Sequence, residues 1–277
     1  MATSAKNDML TTRRDYLADH LRDVPAFRAL LRGVECRLFE AAGELERPIL
    51  DLGCGDGHFA SMAFAEPLFT GIDPDEAMVR EARDRGVYRW PLVADATRMP
   101  YADTSFATVV ANCVVEHIPD IEAVMAETAR VLKPGGRFLF GVPSHKFAEF
   151  LLGSTLLRAL GVPSLAETYG AWFNTHSAHF TTDSPERWLA RLCRHGFEVE
   201  HWEYYMSAAG HRAFDLAHYL GVPRLISRKL TGRWVAFQNP LTNALFVAWL
   251  RPYYEEGPPR VGAYIFFHAR REGRGNK

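Results

Sequence analysis

The chain has 277 residues, of which 48% are hydrophobic and 23% charged, ordinary values for a globular protein built around one large core. A net charge of −1 argues against bulk attraction to nucleic acid. Four scattered cysteines without a Cys-x-x-Cys pair (Cys36, Cys54, Cys113, Cys193) argue against a disulfide framework or a zinc cluster, and no secretion leader or bilayer-length apolar run is visible, so a cytoplasmic protein is expected.

Residues 13–45 place Leu17, Leu21, Phe27, Leu30, Leu31, Val34, Leu38 and Phe39 at helical spacing, and Pro25 divides the stretch into two helices. From residue 48 the period changes and strands alternate with helices. The expected strands are Ile49–Leu52, Phe69–Ile72, Leu92–Ala94, Ala107–Ala111 and Arg137–Val142, and the expected helices His58–Ala65, Asp75–Arg85 and Ile121–Leu132. The last helix should stop at Lys133-Pro134-Gly135-Gly136. Repeated β-α units of this length imply a mostly parallel sheet with helices on both faces. Residues 145–180 break the rhythm as a helical or irregular insertion. A helix follows, capped by Asp183 or Ser184 with Pro185 in its first turn, running to Arg194; then come a strand at Phe197–Tyr204, a second insertion at 206–258 and a final strand at Val261–His268. With no repeat or linker, one continuous domain is expected over 1–277: a helical cap to residue 47, a core at 48–143, and insertions at 144–180 and 206–258.

The strongest chemical signal is Asp51-Leu-Gly53-Cys54-Gly55-Asp-Gly57, which follows an apolar strand and leads into a helix. Glycines in such a turn let the backbone approach a ligand that a Cβ would exclude, and the helix start offers unpaired N–H groups. A dinucleotide site spaces its glycines Gly-x-Gly-x-x-Gly. Here the spacing is Gly-x-Gly-x-Gly, with Asp51 two residues earlier, and an acid suits a cationic ligand such as S-adenosylmethionine better than a diphosphate. Asp73, followed by Pro74, stands about twenty residues on, where a carboxylate can take both ribose hydroxyls. Asp95 closes the third strand, where an acceptor can meet an adenine amino group.

Together these acids and glycines, with Lys133-Pro-Gly-Gly, resemble the ordered motifs of class I S-adenosylmethionine-dependent methyltransferases. The likeness is greatest to the ubiquinone and menaquinone branch, where runs such as Pro100-Tyr-Ala-Asp-Thr-Ser-Phe-Ala and Val115-Glu-His-Ile-Pro recur. It is close over 48–143 and loose over 180–204 and 260–270. The resemblance implies a Rossmann-like α/β fold with a seven-stranded, mostly parallel sheet and largely helical insertions after the fifth and sixth strands. It implies S-adenosylmethionine as methyl donor, held by Asp51, Gly53, Cys54, Gly55 and Gly57 at the methionine end and by Asp73 and Pro74 at the ribose. Asp95, Ala96 and Met78 would meet the adenine, and Asn112 the sulfonium.

For a base, His117 is a candidate by family analogy, and His176 and His179 by the neutral titration of imidazole; each can equally be packed or solvated. Tyr169 and Glu167 are weaker candidates. Ubiquinone O-methyltransferases often show Glu-x-x-Glu-His at this strand end, linked to a metal. Cys113 occupies the first of those positions here, so no metal is carried over. Asn112-Cys-Val-Val also lacks the Asn/Asp-Pro-Pro-aromatic run of nucleic-acid methyltransferases.

The insertions are rich in Phe147, Phe150, Tyr169, Trp172, Phe173, Phe214, Tyr219, Trp234, Phe237, Phe246 and Trp249, with Arg212, Arg224, Arg228, Lys229 and Arg233 among the later ones. From Tyr205 to Lys277 there are 11 Lys and Arg against 4 Asp and Glu. One reading is a helical cap over its own core with a solvated basic tail. The other is a channel for a small lipophilic or anionic acceptor (lipid, quinone, glycolipid or natural-product intermediate) with peripheral membrane contact through 206–258. No nucleic-acid partner is expected. The rival functions are an NAD-dependent oxidoreductase of the same fold and a non-catalytic S-adenosylmethionine-binding module.

Overall fold

The computed structural model describes residues 14–231 and 239–273, the side chains of 221–231 excepted. Arg224, Leu225, Ile226, Arg228, Lys229, Arg233, Trp234 and Phe237, together with Arg274 and Lys277, therefore lie outside the described residues or side chains.

Helices α1 (Tyr16–Asp23) and α2 (Ala26–Ala41) flank Pro25, whose ring forbids a continuous helix. The core then alternates β1 (Ile49–Leu52), α3 (His58–Ala63), β2 (Thr70–Asp73), α4 (Glu76–Arg85), β3 (Leu92–Val93), β4 (Phe106–Asn112), α5 (Ile121–Val131) and β5 (Leu132–Pro143). Asp75 and Asp120 start α4 and α5 by accepting from backbone N–H groups of the first turn, and left-handed Gly86 ends α4. The regular elements of the first insertion are all helices, α6 (Phe147–Phe150), α7 (Leu152–Ala159) and α8 (Pro163–His176). After it come α9 (Pro185–Arg194), β6 (Phe197–Tyr205), α10 (Ala208–Thr231), α11 (Pro240–Tyr254) and β7 (Tyr264–Arg271).

The seven strands form one sheet in the order β3-β2-β1-β4-β5-β7-β6, parallel except for β7, which runs antiparallel to both neighbours. β1 and β4 are buried along their whole length, as expected of parallel strands covered on both faces. Alternation along β5 and β7 divides the core in two. Phe138, Phe140, Val142, Ile265 and Phe267 face α5 and α9 (Val124, Trp188, Leu192), while Leu139, Tyr264 and Phe266 face α1 and α2 (Leu17, Leu30, Phe39). The order of connection reverses between β1 and β4, so a crevice opens at their carboxyl ends.

Several local expectations are corrected. α5 ends at Val131, and Lys133-Pro134-Gly135-Gly136 is absorbed into β5 as an irregular start, its register against β4 slipping between Phe106 and Thr108. Ser184 is the N-cap of α9 but makes no side-chain cap bond, and Asp183 instead accepts from Arg187 and Arg191. The last strand lies three residues later than Val261–His268, because β6 pairs with it from Tyr264 to Arg271 and β5 from Tyr264 to Arg270. A short 3₁₀ turn at Val115–His117 carries no sequence signal. No helix among the described residues is long and apolar enough to cross a membrane.

Candidate active site

The end of β1 delivers Asp51 into the crevice, 4% exposed, where Tyr88 Oη donates to its Oδ2 at 2.6 Å. Burial, only partly offset by that hydrogen bond, pushes the Asp51 carboxyl up to about 7. The chain then turns sharply. Gly53 has φ +73° and stands so close to Val114 that a Cβ would lie 2.3 Å from its Cγ1. The Gly53 and Cys54 N–H groups both donate to the Ile72 carbonyl, which ties the turn to β2. Gly55, at φ +51°, has nothing within 4 Å of the place a Cβ would occupy. Its N–H donates to Asp73 Oδ2 at 3.0 Å, while Asp73 Oδ1 accepts from Asp75 N at 2.9 Å. Each carboxylate oxygen keeps a second lone pair for a ligand.

This turn borders a cavity of about 240 Å³. Of the residues expected from sequence, Asp51, Gly53, Cys54, Gly55, Met78 and Asn112 line it. Asp73 is one hydrogen bond away, through Gly55. Gly57 instead forms the N-cap of α3 and packs against Val87. Pro74 is exposed, Ala96 belongs to the core, and Asp95 is exposed with Oδ1 accepting from Thr97 N and Oγ1, so these three lie outside the lining. A larger hollow of about 550 Å³, between Phe39, Ile49 and Phe64, sits at the amino end of β1, away from the strand-order reversal.

The cavity also draws in residues the sequence reading missed: Arg28 and Arg32 from α2, then Asp56, His58 and Phe59. The signal was present, since Arg28, Arg32 and Glu35 recur at i, i+4 and i+7 as a polar stripe on a helix whose other inward positions are apolar. Glu35 is fully buried and accepts four hydrogen bonds. Arg32 Nη1 (2.8 Å) and Asn112 Nδ2 (2.7 Å) meet Oε2; Cys113 Sγ (3.1 Å) and Tyr205 Oη (3.1 Å) meet Oε1.

Five residues past Asn112, the 3₁₀ turn brings His117 beside His179, their ring centroids 5.2 Å apart. Phe180 and Thr181 N–H groups donate to the Glu116 carbonyl and hold the end of the first insertion against this turn. His117 Nδ1 lies 3.1 Å from the Ala178 carbonyl, which can only accept, so Nδ1 carries the proton and Nε2 presents a lone pair. His179 Nδ1 faces Asn174 Oδ1 at 3.4 Å in the same sense. Burial keeps both rings neutral, lowering His117 and bringing His179 down to about 4. Glu116 is buried beside them, its Oε1 3.7 Å from His117 Nε2 and its carboxyl pushed up to about 8 by burial. Ligand atoms of Glu116, His117 and His179 lie within 4.8 Å of one another, a set with the donor chemistry to hold a cation. His176 stands apart, exposed and stacked on Trp172 at 5.3 Å.

Phe147 meets His179 edge-on at 4.8 Å and Tyr264 at 5.5 Å, and Tyr264 stacks on Tyr205, which bonds Glu35. An aromatic wall thus joins the histidines to the cavity. Outside it, the insertions expose Leu156 (54%), Leu160 (77%), Trp172 (55%), Phe180 (61%), Leu241 (69%) and Leu245 (64%), an apolar surface a sealed cap would not need.

Residues 50–140 match the family described as "Methyltransferase domain". The chain is 32% identical over 176 residues to the ubiquinone/menaquinone biosynthesis C-methyltransferase UbiE of Rubrivivax gelatinosus, covering 58% of this chain and 67% of that one. It is 34% identical over 130 residues to the malonyl-[acyl-carrier protein] O-methyltransferase of Legionella pneumophila, covering 44% and 46%. It is 40% identical over 104 residues to the 27-O-demethylrifamycin SV methyltransferase of Amycolatopsis mediterranei, covering 34% and 37%. The chain thus spans less than half the length of the last two relatives. Among solved structures it resembles a Thermotoga maritima S-adenosylmethionine-dependent methyltransferase (TM-score 0.52, 17% identity, 89% of this chain and 91% of that one). It resembles the [4+2]-cyclase SpnF as well (TM-score 0.54, 21% identity, 86% and 81%), so the fold by itself does not select the reaction.

Proposed function

The chain belongs to the class I S-adenosylmethionine-dependent methyltransferases, and from that premise we propose that it transfers a methyl group to a small, lipophilic acceptor by in-line displacement. The observation that carries the cofactor half is the turn after β1: an open Gly55 position bordering the same cavity as a buried acid, Asp51. When bound, S-adenosylmethionine supplies an electrophilic methyl on a sulfonium. In this reading Asp51 and the Gly53–Gly57 turn hold the methionine end, Asp73 takes the ribose hydroxyls, Met78 packs on the adenine, and Asp95 and Ala96 approach its edge. The protein's contribution is alignment, since a methyl transfer between held partners needs position more than new chemistry.

On the acceptor side, the Nε2 lone pairs of His117 and His179 would receive the proton of an acceptor hydroxyl, a role supported by the Nδ1 contacts to Ala178 and Asn174, and His176, stacked on Trp172, would take no part. The exposed apolar residues of α7, α8 and α11 favour a lipophilic acceptor, delivered by peripheral contact with a membrane. Relatives named for quinone, acyl-carrier and rifamycin substrates agree in carrying organic acceptors rather than nucleic acid.

Two measurements test the reading. S-adenosylhomocysteine should raise the melting temperature while NAD should not, and incubation with labelled S-adenosylmethionine and a lipid extract should move label into the organic phase. Stabilisation by NAD alone would refute the cofactor assignment. Cofactor binding without turnover on any extract would favour the non-catalytic module.

A further inference from the structure

Helix α10 turns a row of polar side chains toward the first insertion that the cofactor site leaves unused. Asp215 is fully buried in that row, and its Oδ2 accepts from Leu152 N, at the start of α7, at 2.9 Å. Its Oδ1, equally enclosed, has no hydrogen-bond partner among the described residues. Leaving such an oxygen bare is costly, so its presence calls for an explanation. One turn further, Tyr219 Oη lies 2.5 Å from Tyr169 Oη of α8. His218 packs on Phe27 at 4.7 Å and meets Phe173 edge-on at 6.2 Å.

The seam between α8 and α10 is open at its outer end, where Tyr219 is 48% and Trp172 55% exposed and the Trp172 ring stacks on Tyr169 at 6.0 Å. Inward, Phe173 meets Phe147 at 5.9 Å and Phe147 meets His179, while Phe27 precedes Arg28, part of the cofactor cavity wall. The groups on offer are neutral hydrogen-bonding partners around one carboxyl. Burial, the Tyr219 hydroxyl and the Asp215 charge hold the Tyr169 hydroxyl above its ordinary value, so it stays protonated. Burial, with His176 and Arg28 nearby, lowers His218, so its ring is neutral and presents one donor and one acceptor. Asp215 repels an anion here, and Arg28 a cation. Hydroxyl groups, which both donate and accept, match the whole set, and the flat Trp172–Tyr169 pair suits the C–H face of a saturated ring.

We propose that the α8–α10 seam binds a polyhydroxylated, sugar-like ring carried on the acceptor's lipophilic body. Asp215, Tyr169, Tyr219 and His218 are its hydrogen-bonding partners, and Trp172 is the platform beneath it. The proposal rests on the acceptor reading above and narrows it from any lipophilic molecule to one that bears such a ring.

The test uses two amphiphiles with the same octyl chain, octyl glucoside and octyl tetraethylene glycol. Each is titrated calorimetrically, below its micelle concentration, into the full chain saturated with S-adenosylhomocysteine. The first presents a hydroxylated ring, the second ethers and a single terminal hydroxyl. The wild-type chain should prefer the glucoside about tenfold, and Tyr219→Phe and Asp215→Asn should each remove most of that preference without changing affinity for the ether. Trp172→Ala should weaken the glucoside more than the ether. Affinity for S-adenosylhomocysteine reports folding; if the buried Asp215→Asn chain fails that control, the half-exposed Tyr219→Phe decides. Equal affinity for the two amphiphiles, or a preference that survives in the folded variants, overturns the proposal and leaves the lipophilic reading in place. Binding of neither amphiphile overturns both.

Discussion

Asp73 accepts two backbone hydrogen bonds at the hinge between β2 and α4, so it is pre-oriented before any ligand arrives. Charge-assisted hydrogen bonds to a carboxylate contribute about 1.5–3 kcal/mol each. Asp73→Ala is therefore expected to weaken S-adenosylhomocysteine binding at least tenfold, about 1.4 kcal/mol or more, in a titration of a chain that is still folded. The histidines separate in the same way. His117→Ala and His179→Ala should each lower kcat about a hundredfold for an acceptor that must lose a proton, whereas His176→Ala should leave it unchanged. Equal effects at all three would show that neither neutral ring acts as the base. The sequence offered these histidines as equals. The left-handed turn at Ala178, φ +53°, follows the end of α8, and beyond it His179 meets His117, while His176 stays exposed at the last position of α8, stacked on Trp172.

At the scale of elements, the turn between β1 and α3 does two jobs with two glycines. Gly53→Ala would force a Cβ to 2.3 Å from Val114 at a positive φ, so it should lower stability in a urea melt by about 1–3 kcal/mol. Gly55→Ala meets no protein atom within 4 Å, so its stability cost should be about 1–2 kcal/mol from backbone conformation alone, while its methyl stands at the mouth of the cavity and should cut cofactor affinity. A Gly55→Ala chain with wild-type affinity would mean the turn does not face the ligand. This turn was legible in the sequence because a strand, a left-handed turn and a helix start each depend on residues a few positions apart. α5 and β5 show the limit of such reading. Pro134, Gly135 and Gly136 were expected as a separate stop, but they lie between Leu132 and Arg137, which both pair with β4, and so form an irregularity inside the strand.

For the whole molecule, opposing titrations set the pH response of the unliganded chain. Burial lowers His20 and His211 to about 3 and His179 and His268 to about 4, so the unfolded chain protonates these histidines first. Their contribution is present above the unfolded value near 6.5 and is lost as pH falls toward 4. Asp51, raised to about 7, and Glu116, raised to about 8, act oppositely: their contribution is present below the unfolded carboxylate range and is lost as pH rises through 7 and 8. The melting temperature should therefore peak near pH 6.5, decline toward pH 8, and decline less in Asp51→Asn. A melting temperature that climbs steadily from pH 6.5 to 8 would contradict this account.

The hydrophobic periodicity and the glycine turn determined most of the strands and helices and their mostly parallel, helix-covered arrangement, because each is written in residues that are neighbours in the chain. Tertiary structure alone decided the rest. Glu35 meets Asn112 and Tyr205 across 77 and 170 residues of sequence, and His117 meets the turn at Ala178 across 61. A polar stripe on α2 or a histidine in an insertion has no local signature of what it will touch. Its partner is chosen when the insertions pack against the carboxyl edge of the sheet, and that packing depends on surfaces brought together from across the chain.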